Sequence, residues 1–317
     1  MTEILTIGEI LVEIMAKKKG QSFSEVGEFL GPFPSGAPAI FINQAAKTGS
    51  NAGIISTIGN DAFGTMNYEK LKEDGVNVSL IRKTDLLTTG VAFVTYDMGG
   101  DRDFIFHLHN SASSLIDEEQ VVDDIFKKCT YFHIMGSSLF NENIRKAVLK
   151  AIDICKKNKI KISFDPNIRK ELLNDLEMKK FLTYIMNNCD LFLPGKDELT
   201  HFTTETNTEA AIHELLEKGV EYIVVKNGRD GCSGYSKNEA FHLESYAVTE
   251  VDPTGAGDCF AGTFISCLNQ GMTFKKGVEY ANAAGAYSVT KNGPMGGNTT
   301  LSELRTFIKE NGRGLNN

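Results

Sequence analysis

Short apolar runs alternating with longer amphipathic stretches constrain this chain more than any other feature. The runs 4–8, 52–58, 129–135, 160–165, 189–193 and 221–226 are rich in Ile, Val and Phe. A strand that is apolar on both faces must be covered on both faces, as in a parallel sheet. Helix-like stretches lie between them at 61–74, 117–128, 142–158, 175–188 and 208–218. From residue 256 the pattern stays mostly helical to about residue 290, and a last helix is expected near 301–310. Alternating βα units predict an α/β fold: a doubly wound sheet between two layers of helices. The 317 residues contain no repeat, low-complexity tract or proline-rich linker, so one domain over 1–317 is expected.

Two stretches leave this alternation. Residues 11–33 follow the first strand without a helix of their own. Residues 88–112 read as a hairpin of two alternating strands around Asp97-Met98-Gly99-Gly100. Inserted β-structure in an α/β chain often covers the crevice at the carboxyl ends of the strands, so both segments are expected to form a small lid.

With 33 basic and 41 acidic side chains the formal net charge is −8, which disfavours nucleic acid or an anionic membrane surface as the main partner. At the start of the chain the lysines come after the apolar run, the wrong order for a signal peptide, and no segment approaches the ~18 apolar residues that span a membrane. The six cysteines (129, 155, 189, 232, 259, 267) are far apart and lack a Cys-x-x-Cys pair. Buried free thiols in a reducing cytoplasm are the expectation.

The chemistry is concentrated in "EVDPTGAGDCFAGTF", residues 250–264. Gly255 and Gly257 lead at once into an aspartate and an apolar, helix-like run. Asp258 could be only a first-turn residue favoured by the helix dipole. Alternatively, the backbone N–H groups could hold phosphate oxygens while Asp258 takes a proton from an attacking hydroxyl. The chain lacks a Gly-x-x-x-x-Gly-Lys-Ser/Thr loop and a Gly-x-Gly-x-x-Gly after the first strand, the two commonest nucleotide signatures.

"DPTGAGDCFAGTF" closely resembles the C-terminal signature of the ribokinase-like family of carbohydrate and purine kinases, and the resemblance spans nearly the whole chain. "SGAPAIFINQAAKTG" (35–49), "STIGNDAFGTMNYEKLKEDGVNV" (56–78), "FDPNIRKELL" (164–173), "LPGKDEL" (193–199) and "VVKNGRDGC" (224–232) follow in the family's order. The resemblance implies a ribokinase-like three-layer sheet with a small β-lid, and transfer of the γ-phosphoryl group of ATP, with Mg2+, to a hydroxyl. The N–H groups of Gly255, Ala256 and Gly257 would stabilise the transferred group, and Asp258 would accept the hydroxyl proton.

Further roles are carried over position by position. Lys226, Gly228 and Gly231 match a segment beside the nucleotide, although Lys226-Asn227-Gly228 also reads as a plain turn. Asn282 matches a position near the adenine, where packing is the other reading. Glu13 falls where the family places an acidic residue on substrate hydroxyls; a solvent-facing strand glutamate is the alternative. Gly36 would let the substrate approach the backbone. Ile105 and His107 match lid positions that face the substrate. Arg169 would contact substrate or phosphate, or cap the following helix. Glu198 is a candidate for Mg2+ through water, and Asp252 either for a monovalent cation such as K+ or for capping its loop. His107 and His109 have metal-like spacing, but no third ligand is evident.

There are departures from the family pattern. Ile40 stands where an asparagine is usual, and Gly195 replaces the asparagine of Asn-x-x-Glu. The resemblance favours a ketohexose such as tagatose or fructose over 2-keto-3-deoxygluconate. A nucleoside kinase or a catalytically silent sensor is less favoured, and a homodimer through the lid is a family-based expectation.

Overall fold

The computed structural model describes residues 2–99, 102–167 and 176–311. The first third contains β1 (Ile4–Ile7), β2 (Leu11–Ala16), β3 (Phe29–Ser35), α1 (Ala37–Lys47), β4 (Ala52–Gly59), α2 (Ala62–Glu73), β5 (Ile81–Thr84) and β6 (Gly90–Tyr96). It continues through β7 (Arg102–His107), β8 (Tyr131–Met135), α3 (Glu142–Asn158), β9 (Lys161–Asp165), α4 (Leu176–Met186), β10 (Leu191–Phe192) and α5 (Thr208–Glu217). The last third has β11 (Tyr222–Lys226), β12 (Cys232–Tyr235), β13 (Ala240–Leu243), α6 (Ala256–Asn269), α7 (Phe274–Ser288) and α8 (Leu301–Glu310).

Nine strands form the main sheet in the order β13-β12-β11-β10-β9-β8-β1-β4-β5. The seven from β11 to β5 are parallel, and β12–β13 add an antiparallel hairpin at the edge. The period of two sorts each strand onto two cores. Leu5, Phe132, Ile162 and Ile223 pack against α3, α4 and α5, whereas Ile4, Ile54 and Val224 pack against α1, α6 and α7. Every residue of β1 and β4 is buried, as expected of strands covered on both faces. Local sequence starts several helices: Asp61 accepts from Gly64 N at the head of α2, Asn141 caps α3, and Thr300 with Glu303 forms a capping box for α8.

A second sheet, in the order β3-β2-β6-β7, is built from both segments that broke the alternation. β2 pairs with β6 in parallel, so residues far apart in the chain share a face: Glu13 lies opposite Ala92, which lies opposite Phe106. The tip of the expected hairpin at Gly100 lies outside the described residues.

Three expectations need correction. The stretch 117–128 is not one helix but two short 3-10 turns at 118–120 and 123–126. The β-branched pair between them, Val121 and Val122, is extended and interrupts the helical path. α1 occupies most of 35–49, a stretch read only as a glycine signature, and the edge hairpin β12–β13 was missed. All six cysteines are free and buried, as expected.

Candidate active site

The carboxyl ends of β9 and β11, the start of α6 and one face of the small sheet surround a cavity of about 750 Å³. This is the ordinary size of a small-molecule site and the ordinary place for one in a doubly wound sheet. Residues 253–258 form one wall, Leu11, Glu13, Phe104 and Phe106 another, and Asp165, Glu198 and Lys226 its floor.

The loop before α6 is shaped by Gly255 and Asp252. Gly255 is left-handed, and a Cβ there would meet Pro294 O at 2.6 Å, so only glycine fits. Asp252 Oδ1 accepts from Thr254 N at 3.0 Å and Oδ2 from Gly293 N at 3.0 Å, with Tyr96 Oη at 3.4 Å. Its carboxylate thus ties the loop together, which is the capping alternative. α6 then begins at Ala256, and its first residues, whose N–H groups have no partners within the helix, line the cavity.

Asp258 is buried in the first turn of α6 and lines this cavity. Burial, reinforced by the carboxylate of Asp165 and opposed by Lys226, pushes its pKa up to about 8. Lys226, at the end of β11, makes an ion pair with Asp165 at the end of β9. Burial opposes its charge, but Asp165 and Glu198 outweigh burial and raise its pKa. Glu198 Oε2 accepts from Gly195 N at 2.6 Å, so the backbone of the substituted position orients the retained glutamate.

At the other end, Glu13 is buried on β2. Its Oε1 accepts from Ser35 Oγ at 3.1 Å, while Oε2 has no hydrogen-bond partner among the described residues. Burial lifts its pKa to about 7 against the Ser35 hydroxyl, with Asp252 adding to the rise. Ser137 Oγ, also buried and lining the cavity, similarly lacks a partner. Buried polar atoms without a protein partner are rare, and two of them line this cavity. Gly36, with φ 110°, lies against Glu9, whose carbonyl oxygen would be 2.5 Å from a Cβ at that position.

The cavity therefore gathers Glu13, Gly36, Glu198, Lys226 and residues 255–258. Ile105 and His107 are not among its lining residues. On β7, Phe104 and Phe106 face inward and Ile105 and His107 outward, His107 with its ring edge-on to Phe93. Assigning the lid contacts one residue off the true register put them on the wrong face. The inward position missed was Arg102, which donates to Thr254 Oγ1 at 3.3 Å; His109, noted above for its spacing from His107, also lines the cavity, edge-on to Phe140. His107 and His109 therefore do not converge on a metal, and no cluster of three or more candidate ligands occurs among the described residues.

Gly228, Gly231 and Asn282 also lie outside the lining. Gly231 is explained by backbone crowding, since a Cβ there would meet Leu243 O at 1.9 Å. Asn282 donates to Glu244 O at 2.8 Å, holding α7 to the segment after β13. Arg169 lies outside the described residues. Glu9, 2% exposed and accepting from Ser138 Oγ at 2.6 Å, was also missed; the spacing of the two glutamates in "GEILVE" was its signal.

A three-layer α/β fold that brings a helix start and buried carboxylates together in one cavity at the carboxyl ends of the strands has the architecture of an enzyme acting on small polar molecules. Residues 1–301 match the model of the pfkB family carbohydrate kinases, and the chain belongs to that family. It is a sugar kinase with a ribokinase-like fold. "Probable fructokinase-5" of Arabidopsis thaliana is 31% identical over 96% of this chain and 97% of its own. An E. coli protein provisionally called Ribokinase II is 49% identical over 98% of this chain and 100% of its own, with a TM-score of 0.95 without ligand and 0.94 in complex with ATP and Mg2+. A Vibrio cholerae fructokinase double mutant, solved in its fructose, ADP and potassium-bound form, shares the fold at 24% identity over 97% of this chain and 98% of its own, with a TM-score of 0.84.

Proposed function

We propose that this kinase transfers the γ-phosphoryl group of MgATP to a hydroxyl of a neutral ketohexose, with fructose and tagatose as the leading acceptors. The observation that carries this reading is the unpartnered, buried Oε2 of Glu13 in the same cavity as Asp258. One carboxylate is set to accept hydrogen bonds from a polyol, the other to take a proton from it. Asp258 acts as the base, and the N–H groups of residues 255–257 hold the phosphoryl oxygens. Phosphoryl transfer needs positioning and charge neutralisation more than covalent help.

Mg2+ enters with the nucleotide. It usually binds through one or two carboxylates plus substrate phosphates, and Glu198 supplies such a group beside Lys226 and Asp258. The magnesium and ATP bound by the E. coli neighbour support this assignment. Lys226 is the assigned nucleotide contact that reaches the cavity; Gly228, Gly231 and Asn282 shape the surrounding turns and helix. Asp252 is proposed to serve the loop first and a K+ ion second.

The fructokinase relatives favour fructose, and the cavity's charge favours a neutral acceptor. With the raised carboxyls of Glu13 and Asp258 set aside, Glu9, Asp103, Asp165 and Glu198 still outnumber Arg102 and Lys226, so a sugar acid would meet net repulsion. One observation supports 2-keto-3-deoxygluconate as a second reading: Arg102 on the cavity wall could pair with its carboxylate. ADP release with fructose, tagatose, ribose and the keto-acid at saturating MgATP tests both. Either hexose should exceed the keto-acid at least tenfold in kcat/KM; the reverse order overturns the neutral-acceptor reading.

The four-stranded sheet is proposed to act as the lid over the acceptor, and its outer face as a homodimer contact. The exposed Phe29 and Ile105 on either side of Phe93 support the latter. No helix among the described residues is long and apolar enough to cross a membrane, and a cytoplasmic location is proposed on the buried free thiols.

A further inference from the structure

We propose that Lys226 is a catalytic residue, whose ammonium group neutralises the non-bridging oxygens of the phosphoryl group as it crosses the cavity. The inference rests on the sugar-kinase reading and adds a participant to it. Lys226 ends β11 with its side chain only 19% exposed, and its ammonium pairs with Asp165. A Cβ built on Gly257 would lie 3.6 Å from Lys226 Nζ, the nearest atom to it, so the cation sits over the second glycine of the anion-binding loop. Asp258 and Glu198 are close enough for their charges to act on it.

A purely structural ion pair is a poor explanation for this placement. Desolvating two charges in a protein interior offsets most of their attraction, and apolar replacements often do as well. A lysine beside a phosphate loop has a use that an apolar side chain lacks. Its ammonium is a compact charge on a flexible stem, able to pass from a carboxylate to a phosphate oxygen. Asp165 holds it aside at rest, which keeps the cation from collapsing onto Asp258 and weakening the base.

The step balances without Lys226 exchanging a proton. The acceptor oxygen forms a bond to the γ-phosphorus as its proton passes to the Asp258 carboxylate. The bond from that phosphorus to the β–γ bridging oxygen breaks, and its electron pair leaves with ADP. Lys226 keeps its three protons and supplies charge alone.

The test is the pair Lys226→Met and Asp165→Asn/Lys226→Met. The single variant strands a buried carboxylate and is expected to lose stability; the double variant removes both charges and should melt within a few degrees of the wild type. In the double variant kcat should still be down ~10²–10³-fold, the usual worth of a preorganised charge at a developing oxyanion. Binding of a nonhydrolysable ATP analogue, which Lys226 also contacts, should weaken, and binding of ADP with aluminium fluoride, a transition-state mimic, should weaken at least tenfold more. A double variant with kcat within threefold of the wild type, or with equal losses for both nucleotides, overturns the proposal. If the wild type phosphorylates no sugar in the panel, the acceptor reading fails. Lys226 is then judged on slow ATP hydrolysis, where equal rates in wild type and double variant overturn it.

Discussion

Asp258 carries two opposed consequences at the scale of a single residue. As the proposed base it must lose its proton, yet burial and Asp165 push its pKa up to about 8. Asp258→Asn keeps the shape and removes the acceptor, so kcat should fall ~10²–10⁴-fold with ATP binding little changed. The same variant should be more stable. An unfolded aspartate ionises near its ordinary value of ~3.9. The folded one holds its proton until about pH 8, so its contribution to stability is present in acid and is lost as pH rises through that value. The Tm advantage of Asn over Asp should therefore widen between about pH 4 and pH 8, at roughly 2–4 °C per kcal/mol. A melting series that shows the wild type more stable at pH 8 would contradict this account of the site.

Glu13 titrates in a range that binding experiments can reach. With its pKa raised to about 7, the acceptor form grows from a minor to a major fraction between pH 6 and pH 8. Sugar binding measured by titration calorimetry without nucleotide should tighten roughly tenfold over that interval, the ratio of the two ionised fractions. Glu13→Gln should bind weakly and with no such pH dependence. A wild-type affinity that is flat from pH 6 to pH 8 would remove Glu13 from sugar recognition.

At the scale of an element, β7 joins the two halves of the site. Its inward residues Arg102, Phe104 and Phe106 stack along one face, with the guanidinium 5.6 Å from the Phe104 ring centroid and the two phenyl rings 5.1 Å apart. Arg102 also reaches Thr254 in the loop before α6. If the small sheet closes over a bound acceptor, hydrogen exchange in β6 and β7 should slow when sugar and a nonhydrolysable ATP analogue bind together. Protection that is unchanged in 90–96 and 102–107 would leave the sheet a role in assembly or packing only.

For the whole molecule, the outer face of that sheet is the one to examine. Phe29 packs edge-on against Phe93 at 6.2 Å, and Ile105 lies opposite Phe93 on β7, leaving apolar surface toward solvent. Ile105→Glu should shift sedimentation from dimer to monomer without changing the Tm by more than a few degrees, because the side chain is 43% exposed in the single chain. A wild-type protein that sediments as a monomer at tens of micromolar would end the proposal.

The sequence alone determined the layered fold, because strands such as Ile4–Ile7 and Ala52–Gly59 are apolar on both faces and can be satisfied only between two helical layers. It also determined the Gly255–Asp258 corner of the cavity, since a helix start preceded by Gly255 and carrying Asp258 is a local construction whose parts lie within a few residues. The inward face of β7 was not legible, because one residue of slip on β7 exchanges Phe104 and Phe106 for Ile105 and His107, and only pairing with β6 fixes the register. Asp165 and Lys226 lie sixty-one positions apart in the chain. Their ion pair exists because β9 and β11 end on either side of the short β10, a proximity that parallel strand order created and that no local pattern records.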